Sequence, residues 1–264
     1  MHLLGWIAVL LYAGAQVLAI RSLLRPKGYG GAPALVAAGL AAQYADLHVA
    51  ARTLGSVPYS TLGGSMALFG WMLGIAYLVL VVRHRERAIG PFLIPFVFAF
   101  SVLGVLLPSS APAAAATRGS LFAFHVTLAI MAYAAFALSF VLSVLYLIQA
   151  RQIRRGRTGV LFARLPALDV IGRMNRTTVA IGIVVLSISV AFGVAWARQV
   201  WTGVGDAKLV FAFVTLLVYG LLLWMDRRGW EGPRVALLSI VGFALVLFSY
   251  TFVNLYLSES HVFR

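Results

Sequence analysis

Eight stretches of this chain are apolar for long enough to cross a lipid bilayer as helices, and only short polar segments separate most of them. A helix rises about 1.5 Å per residue, so about 20 apolar residues cover a hydrocarbon layer of about 30 Å. The stretches lie near residues 3–22, 32–53, 60–82, 89–108, 119–150, 178–198, 208–225 and 235–257. Lipid offers backbone N–H and C=O groups no partner, so a segment of this length must pair them internally as a helix. The expected fold is therefore all-α. It is a polytopic membrane bundle of eight transmembrane helices, read as a single integral membrane domain over residues 1–264. Composition agrees, with 62% hydrophobic and 11% charged residues, against about a quarter charged in a soluble domain. No Lys or Arg precedes the first span and a further span follows it, so it is not expected to be a cleaved signal.

The net charge of +14 does not point to nucleic acid. The cations form short clusters between apolar runs rather than a basic stripe interleaved with aromatics. Sixteen of the 21 Lys and Arg residues fall in one set of loops. These are Arg21, Arg25 and Lys27, then Arg83, Arg85 and Arg87, then seven arginines between 151 and 176, then Arg227, Arg228 and Arg234. The other set holds Arg52, Arg118, Arg198, Lys208 and Arg264. The positive-inside rule assigns the first set to the cytoplasm. Both termini are then outside, with the chain a multi-pass protein of the plasma (inner) membrane. The chain has no cysteine, which excludes disulfides, thiolate ligands and a covalent c-type haem site of its own.

Between 151 and 177, Leu161, Leu165, Leu168, Ile171 and Met174 recur at helical spacing among arginines. This predicts a cytoplasmic amphipathic helix lying on the inner surface, its arginines towards anionic lipid. A docking site for a soluble partner is the sharper alternative.

Three of the five histidines, His48, His125 and His261, fall at the outer edge of the predicted bundle. Imidazoles at that depth are costly unless they bind something, and a metal or a haem is the natural candidate. Zinc asks for three or four ligands. The nearby acids are few, namely Asp46, Asp206 and Glu259, and Asp46 points away from His48 on a helix. Haem needs one or two histidines, an apolar slot and cations for its propionates. Arg118 precedes His125 by seven residues. Two helical turns separate them, so both share a face about 10 Å apart. Tyr44, His48 and Arg52 likewise share a face. Snorkelling to the interface is the plain alternative for each arginine alone. His84, among arginines on the cytoplasmic side, is expected to be solvated, and His2 carries no assignment. Trp196 and Trp201 precede Gly205, Asp206 and Lys208 on one outer loop. An interfacial aromatic belt accounts for the tryptophans, and a platform over a porphyrin edge accounts for the whole cluster.

Several segments, in order, carry a resemblance. Phe124-His125-Val126-Thr127-Leu128-Ala129-Ile130-Met131-Ala132-Tyr133 opens a central span, and Leu165-Pro166-Ala167-Leu168-Asp169-Val170-Ile171-Gly172-Arg173-Met174-Asn175 precedes the next. Leu217-Val218-Tyr219-Gly220-Leu221-Leu222-Leu223-Trp224 leads into a basic turn, and Phe252-Val253-Asn254-Leu255 leads to Ser260-His261. In this order, over residues 40 to 264, the chain resembles the cytochrome c assembly family, the haem-handling membrane proteins of the CcsA, CcmC and HemX-like kinds. The resemblance implies that His125 and His261, which flank the tryptophan segment, ligate haem at the outer face, with His48 matching a further membrane histidine. The family's tryptophan-rich signature ends in Trp-Asp-Pro-Lys, whereas this chain has Gly205-Asp206-Ala207-Lys208. That departure weighs against haem-lyase catalysis, so no catalytic residue is expected.

The first expectation is thus a protein that holds or presents non-covalent haem b. His125 and His261 would be the axial ligands. Arg118, with Arg52 or Arg198, would neutralise the propionates, and Trp196 and Trp201 would cover an edge. Two alternatives stand beside it. One is a haem-sensing regulatory protein acting on haem biosynthesis through a soluble enzyme. The other is a transporter of a small solute or of haem, for which Gln16, Gln43 and Pro95 lie at suitable depth. The implied partners are haem, membrane lipid and a cytochrome c assembly protein or a soluble haem-synthesis enzyme, and no nucleic acid.

Overall fold

A computed structural model of the protein describes residues 3–24, 31–55, 59, 61–108, 119–156, 159–200, 207–230 and 232–248. These residues form helices and no strand. In chain order the helices are α1 (Leu3–Leu24), α2 (Ala32–Leu54), α3 (Leu62–His84), α4 (Gly90–Leu106), α5 (Gly119–Arg154), α6 (Val160–Arg164), α7 (Leu168–Val200), α8 (Ala207–Arg227) and α9 (Gly232–Phe248). Six of them, α1, α2, α3, α5, α7 and α8, are long and apolar enough to cross a membrane. The protein is a multi-pass integral membrane protein. The described parts of α4 and α9 have 17 residues each, which is at the short end of the spanning range of about 17–25. The expected eighth span, 235–257, is described only as far as Phe248.

The expected surface helix is corrected. Three of its apolar positions, Leu165, Ile171 and Met174, belong to the bundle. α5 runs on to Arg154, α6 is a single short turn, and α7 already begins at Leu168. Leu165, Ile171 and Met174 are buried in the main core beside Leu138, Leu142 and Leu145 of α5. The periodicity was that of a spanning helix prolonged past the membrane, because its apolar face meets another helix rather than lipid headgroups. The 36 residues of α5 measure about 54 Å along the axis, well beyond a hydrocarbon layer of about 30 Å.

Two sets of helices make the bundle. In the first, α1 packs on α2 and α4, and α3 packs on α4 and α2. In the second, α5 packs along α7 and α9, and α8 closes against α9 and α7. The face of α3 against α5 joins the two sets. Without a hydrophobic drive between helices in lipid, close approach and hydrogen bonds hold such a bundle together. Gly104 faces Ala67 so tightly that an added Cβ would stand 2.7 Å from the alanine Cβ. A Cβ on Gly39 would meet the buried Tyr12 ring at 2.6 Å.

Gln43 is the polar hub of the first set. It accepts from the Tyr12 hydroxyl at 2.8 Å and donates to the Ala67 carbonyl at 2.9 Å. The Ser101 hydroxyl, whose one proton is shared with Val97 O at 2.8 Å, lies 3.3 Å from the same Gln43 oxygen. Four helices are thereby tied at one buried amide. Pro95, inside α4, has no N–H for the carbonyl of Pro91 one turn earlier. Gln16 of α1 supplies the missing donor, its Nε2 lying 3.2 Å from Pro91 O. The deep glutamines that suggested transport therefore have structural partners. Replacing Gln16 by Leu is expected to destabilise the protein by about 1–3 kcal/mol, because a carbonyl in the membrane loses its donor. In a Pro95→Ala background the penalty should shrink to less than half, since Ala at 95 restores the N–H. Thermal unfolding of the four proteins in detergent measures this cycle.

Candidate functional site

His125 lies in the second turn of α5, where that helix meets the last third of α7. Its Nδ1 stands 2.8 Å from the backbone oxygen of Ser189. A carbonyl oxygen only accepts, so Nδ1 carries the proton and donates. The proton on Nδ1 puts the lone pair on Nε2. Ser189 returns the contact, its hydroxyl donating to the His125 carbonyl at 2.8 Å. One turn further along α7 is Gly193, where an added Cβ would stand 2.6 Å from Nδ1. Ser189 thus fixes the ring and Gly193 leaves room for it. Metal-binding histidines are commonly oriented in this way, through a hydrogen bond from the second ring nitrogen to a carbonyl.

An aromatic wall adjoins the ring. Phe122, buried one turn before His125, lies 6.5 Å from it and 4.7 Å from Trp196 of α7. Tyr59 meets Phe122 edge-on at 5.7 Å. Leu47, Tyr59, Leu68, Phe122 and Ile130 form a buried cluster, with Trp71 and Trp196 packed on it. The structure therefore brings Trp196 and His125 to the same wall.

His48 is set differently. It is exposed on α2, and its Nε2 accepts from Arg52 Nε at 3.1 Å. Its ring stacks on Tyr44 at 6.1 Å, and Tyr44 stacks on Trp71 at 5.9 Å. The shared face of Tyr44, His48 and Arg52 is thus observed, but Arg52 is engaged by the histidine itself. Arg198 is exposed in the last turn of α7. His261, Arg118 and Trp201 lie outside the described residues. His84 departs from expectation. It is half-buried at the end of α3, its Nε2 covered and without a partner. Among the described residues no group of three or more His, Cys, Asp or Glu could hold a metal ion. Ser189 and Gly193 were missed from sequence. Their one signal is a Ser and a Gly four residues apart on a span, which recurs widely in membrane helices for packing alone.

A family model described as Cytochrome C assembly protein matches residues 59–261. The chain belongs to the cytochrome c assembly protein family. Relatives in the family include "Cytochrome c biogenesis protein CcsA" of Prochlorococcus marinus (strain MIT 9301). That protein is 29% identical over 227 residues, covering 76% of this chain and 74% of its own. "Protein HemX" of Bacillus subtilis (strain 168) is 29% identical over 218 residues, covering 79% of this chain and 78% of its own. The CcsA of Parasynechococcus marenigrum (strain WH8102) is 26% identical over 230 residues, covering 76% and 75%. The family match takes in His125, Ser189, Gly193 and Trp196, the described site.

The ring lock has a direct readout. With histidine ¹⁵N-labelled, His125 is expected to show the Nδ1-protonated tautomer in NMR spectra of the ligand-free protein. Ser189→Ala should keep it, because the backbone acceptor remains. Gly193→Val should abolish it by displacing the ring.

Proposed function

We propose that the protein binds haem non-covalently at the outer face of the membrane and holds or presents it for cytochrome c assembly. The observation that carries this reading is the hydrogen bond from His125 Nδ1 to Ser189 O, which leaves Nε2 as the ring's coordinating atom. When bound, haem supplies the iron chemistry of the site. The chain's own residues hold and orient it. His125 and His261 would be its iron ligands. Trp196, backed by Phe122, forms an apolar side wall. Arg118, with Arg52 or Arg198, neutralises the propionates, and Trp201 covers an edge. Arg52 would have to release His48 to take part; while the pair is kept, His48 Nε2 is occupied and His48 serves as a pocket wall. With no cysteine in the chain, the haem stays non-covalent and any thioether bond needs cysteines from a partner. The segment Gly205-Asp206-Ala207-Lys208 favours holding over catalysis.

A regulatory role resembling that of HemX is the second reading, favoured by the similarity to the Bacillus protein over most of both chains. The apolar face of residues 165–174 is buried in the bundle, so a soluble partner would have to read the exposed arginines instead.

Haem titration of the detergent-purified protein tests the proposal. A low-spin Soret band is expected, and His125→Ala or His261→Ala should remove or shift it. Gly193→Val should weaken haem binding by about 10- to 100-fold, as loss of an orienting contact does, while helical content by circular dichroism stays unchanged. An unaltered Soret band in both histidine variants would refute the ligand assignment.

A further inference from the structure

At the arginine-rich end of the second helix set, a cavity of about 520 Å³ opens between the start of α7 and the facing ends of α5, α8 and α9. We propose that this cavity binds a phosphate group, carried by a membrane lipid or free in solution. The proposal is independent of the haem reading, because the cavity lies at the opposite end of the α5–α7 pair from His125.

The donors in it decide the chemistry. Asn175 lines the cavity and is 7% exposed. Its Oδ1 accepts from the buried Ser139 at 2.5 Å. Ser139 has one hydrogen, so the Ser239 hydroxyl, 2.6 Å away, donates to Ser139 in turn. The chain of hydroxyls ends on Oδ1, which leaves the Asn175 NH₂ as the group presented to the cavity. Among the described residues the Asn175 side chain makes one hydrogen bond, the one Oδ1 accepts from Ser139. Its two N–H donors, open to the cavity, suit an acceptor-rich ligand.

Two guanidinium groups converge on the same space. Arg173 uses NH1 on Asp169, and Arg176 uses Nε on Asp226. Each carboxylate takes one nitrogen, and a guanidinium has five N–H groups, so both arginines keep donors for a ligand. Asp169 and Asp226 line the cavity as well, so what it offers an anion is the remaining N–H groups of two fixed forks rather than an excess of cations. Gly232, in the first turn of α9, lines the cavity, and the N–H groups of a helix start attract phosphate. The Tyr146 hydroxyl reaches this turn only because Gly232 has no Cβ, since an added one would stand 1.8 Å from it. Donors from α7 and from the start of α9, arriving from different directions, suit a tetrahedral group with several acceptor oxygens better than a flat carboxylate.

The surroundings favour lipid as the source. Trp224 and Trp230, each two residues along the chain from a lining residue, are about half exposed, each beneath an arginine, Arg228 at 5.2 Å and Arg234 at 5.8 Å. Tryptophans in that state mark the headgroup level of a bilayer. The α8 end is held there by its capping. Gly229, at φ 74°, follows the helix. The N–H of Trp230 then returns to Met225 O, and that of Gly229 to Asp226 O. Below the mouth the walls are Ile171, Leu222 and Val235, suited to the start of an acyl chain.

The test uses the full chain, delipidated in detergent. Phosphatidylglycerol, diacylglycerol and inorganic phosphate are added separately and followed by thermal shift and native mass spectrometry. A 1:1 phosphatidylglycerol adduct with a raised melting temperature is expected, and diacylglycerol should give neither. If inorganic phosphate displaces the adduct at millimolar concentration, the site takes free phosphate as well. If it does not, the ligand is the lipid. Either result supports the phosphate site. Arg173→Gln with Arg176→Gln should weaken binding at least tenfold, and Arg151→Gln with Arg154→Gln, outside the cavity, should not. Because Arg176→Gln strands Asp226, the pair Arg176→Gln with Asp226→Asn provides a version with no unpaired carboxylate, and it too should weaken binding. Equal shifts with diacylglycerol, or equal losses in the 151/154 pair, would overturn the proposal.

Discussion

α5 and α7 run antiparallel in one register, and the polar contacts between these two helices are fixed by it. Moving along α5 from His125 through Phe136 to Ser139 meets, on α7, Ser189, then Gly182, then Asn175. Each contact depends on the same alignment. Gly182 is open enough that a Cβ there would stand 2.5 Å from the Phe136 ring, and that ring stacks on Tyr219 of α8 at 3.9 Å. A slip of one turn would separate the histidine from its carbonyl acceptor and the serine from its asparagine together. Both pairs would be lost in the same slip, so the penalties add. The register therefore fixes the imidazole at one end and a donor-rich cavity at the other with a single set of contacts.

The first helix set follows a different rule. It has no long polar seam. Its helices meet through small residues such as Gly39 and Gly104, and through two glutamines whose amides reach across helices. An amide is suited to this because one end donates and the other accepts. Gln43 uses both, taking the Tyr12 hydroxyl on its oxygen and giving its nitrogen to Ala67. This set backs the second through α3, and the buried cluster of Tyr59, Leu68 and Phe122 is where the two sets share a core beside His125.

Most of the helices were legible in the sequence because apolar run length is a direct consequence of bilayer thickness. The six long spans match their expected positions within a few residues at most ends, and α7 is the exception, starting at Leu168 rather than 178. There the sequence was ambiguous in principle. Ile171 and Met174 among arginines fit a surface helix and the protruding end of a spanning helix equally, and only the presence of α5 opposite them decides. The site was half legible. His125 stood out because an imidazole at that depth is costly, and Trp196 stood out for its size. Ser189 and Gly193 did not, since their role lies in a backbone oxygen and a missing Cβ, which no residue type announces. His48 shared its depth with His125 but not its state, because the Arg52 four residues later occupies its Nε2.

The proline in α4 ties the assembly to the order of synthesis. Until Gln16 arrives, the carbonyl of Pro91 has no donor from the protein. A chain made from its amino terminus places α1 in the membrane before α4 emerges. The donor is already waiting when the gap appears. In a permuted chain in which α4 preceded α1 the gap would stay open until α1 arrived, so one side chain favours one direction of manufacture.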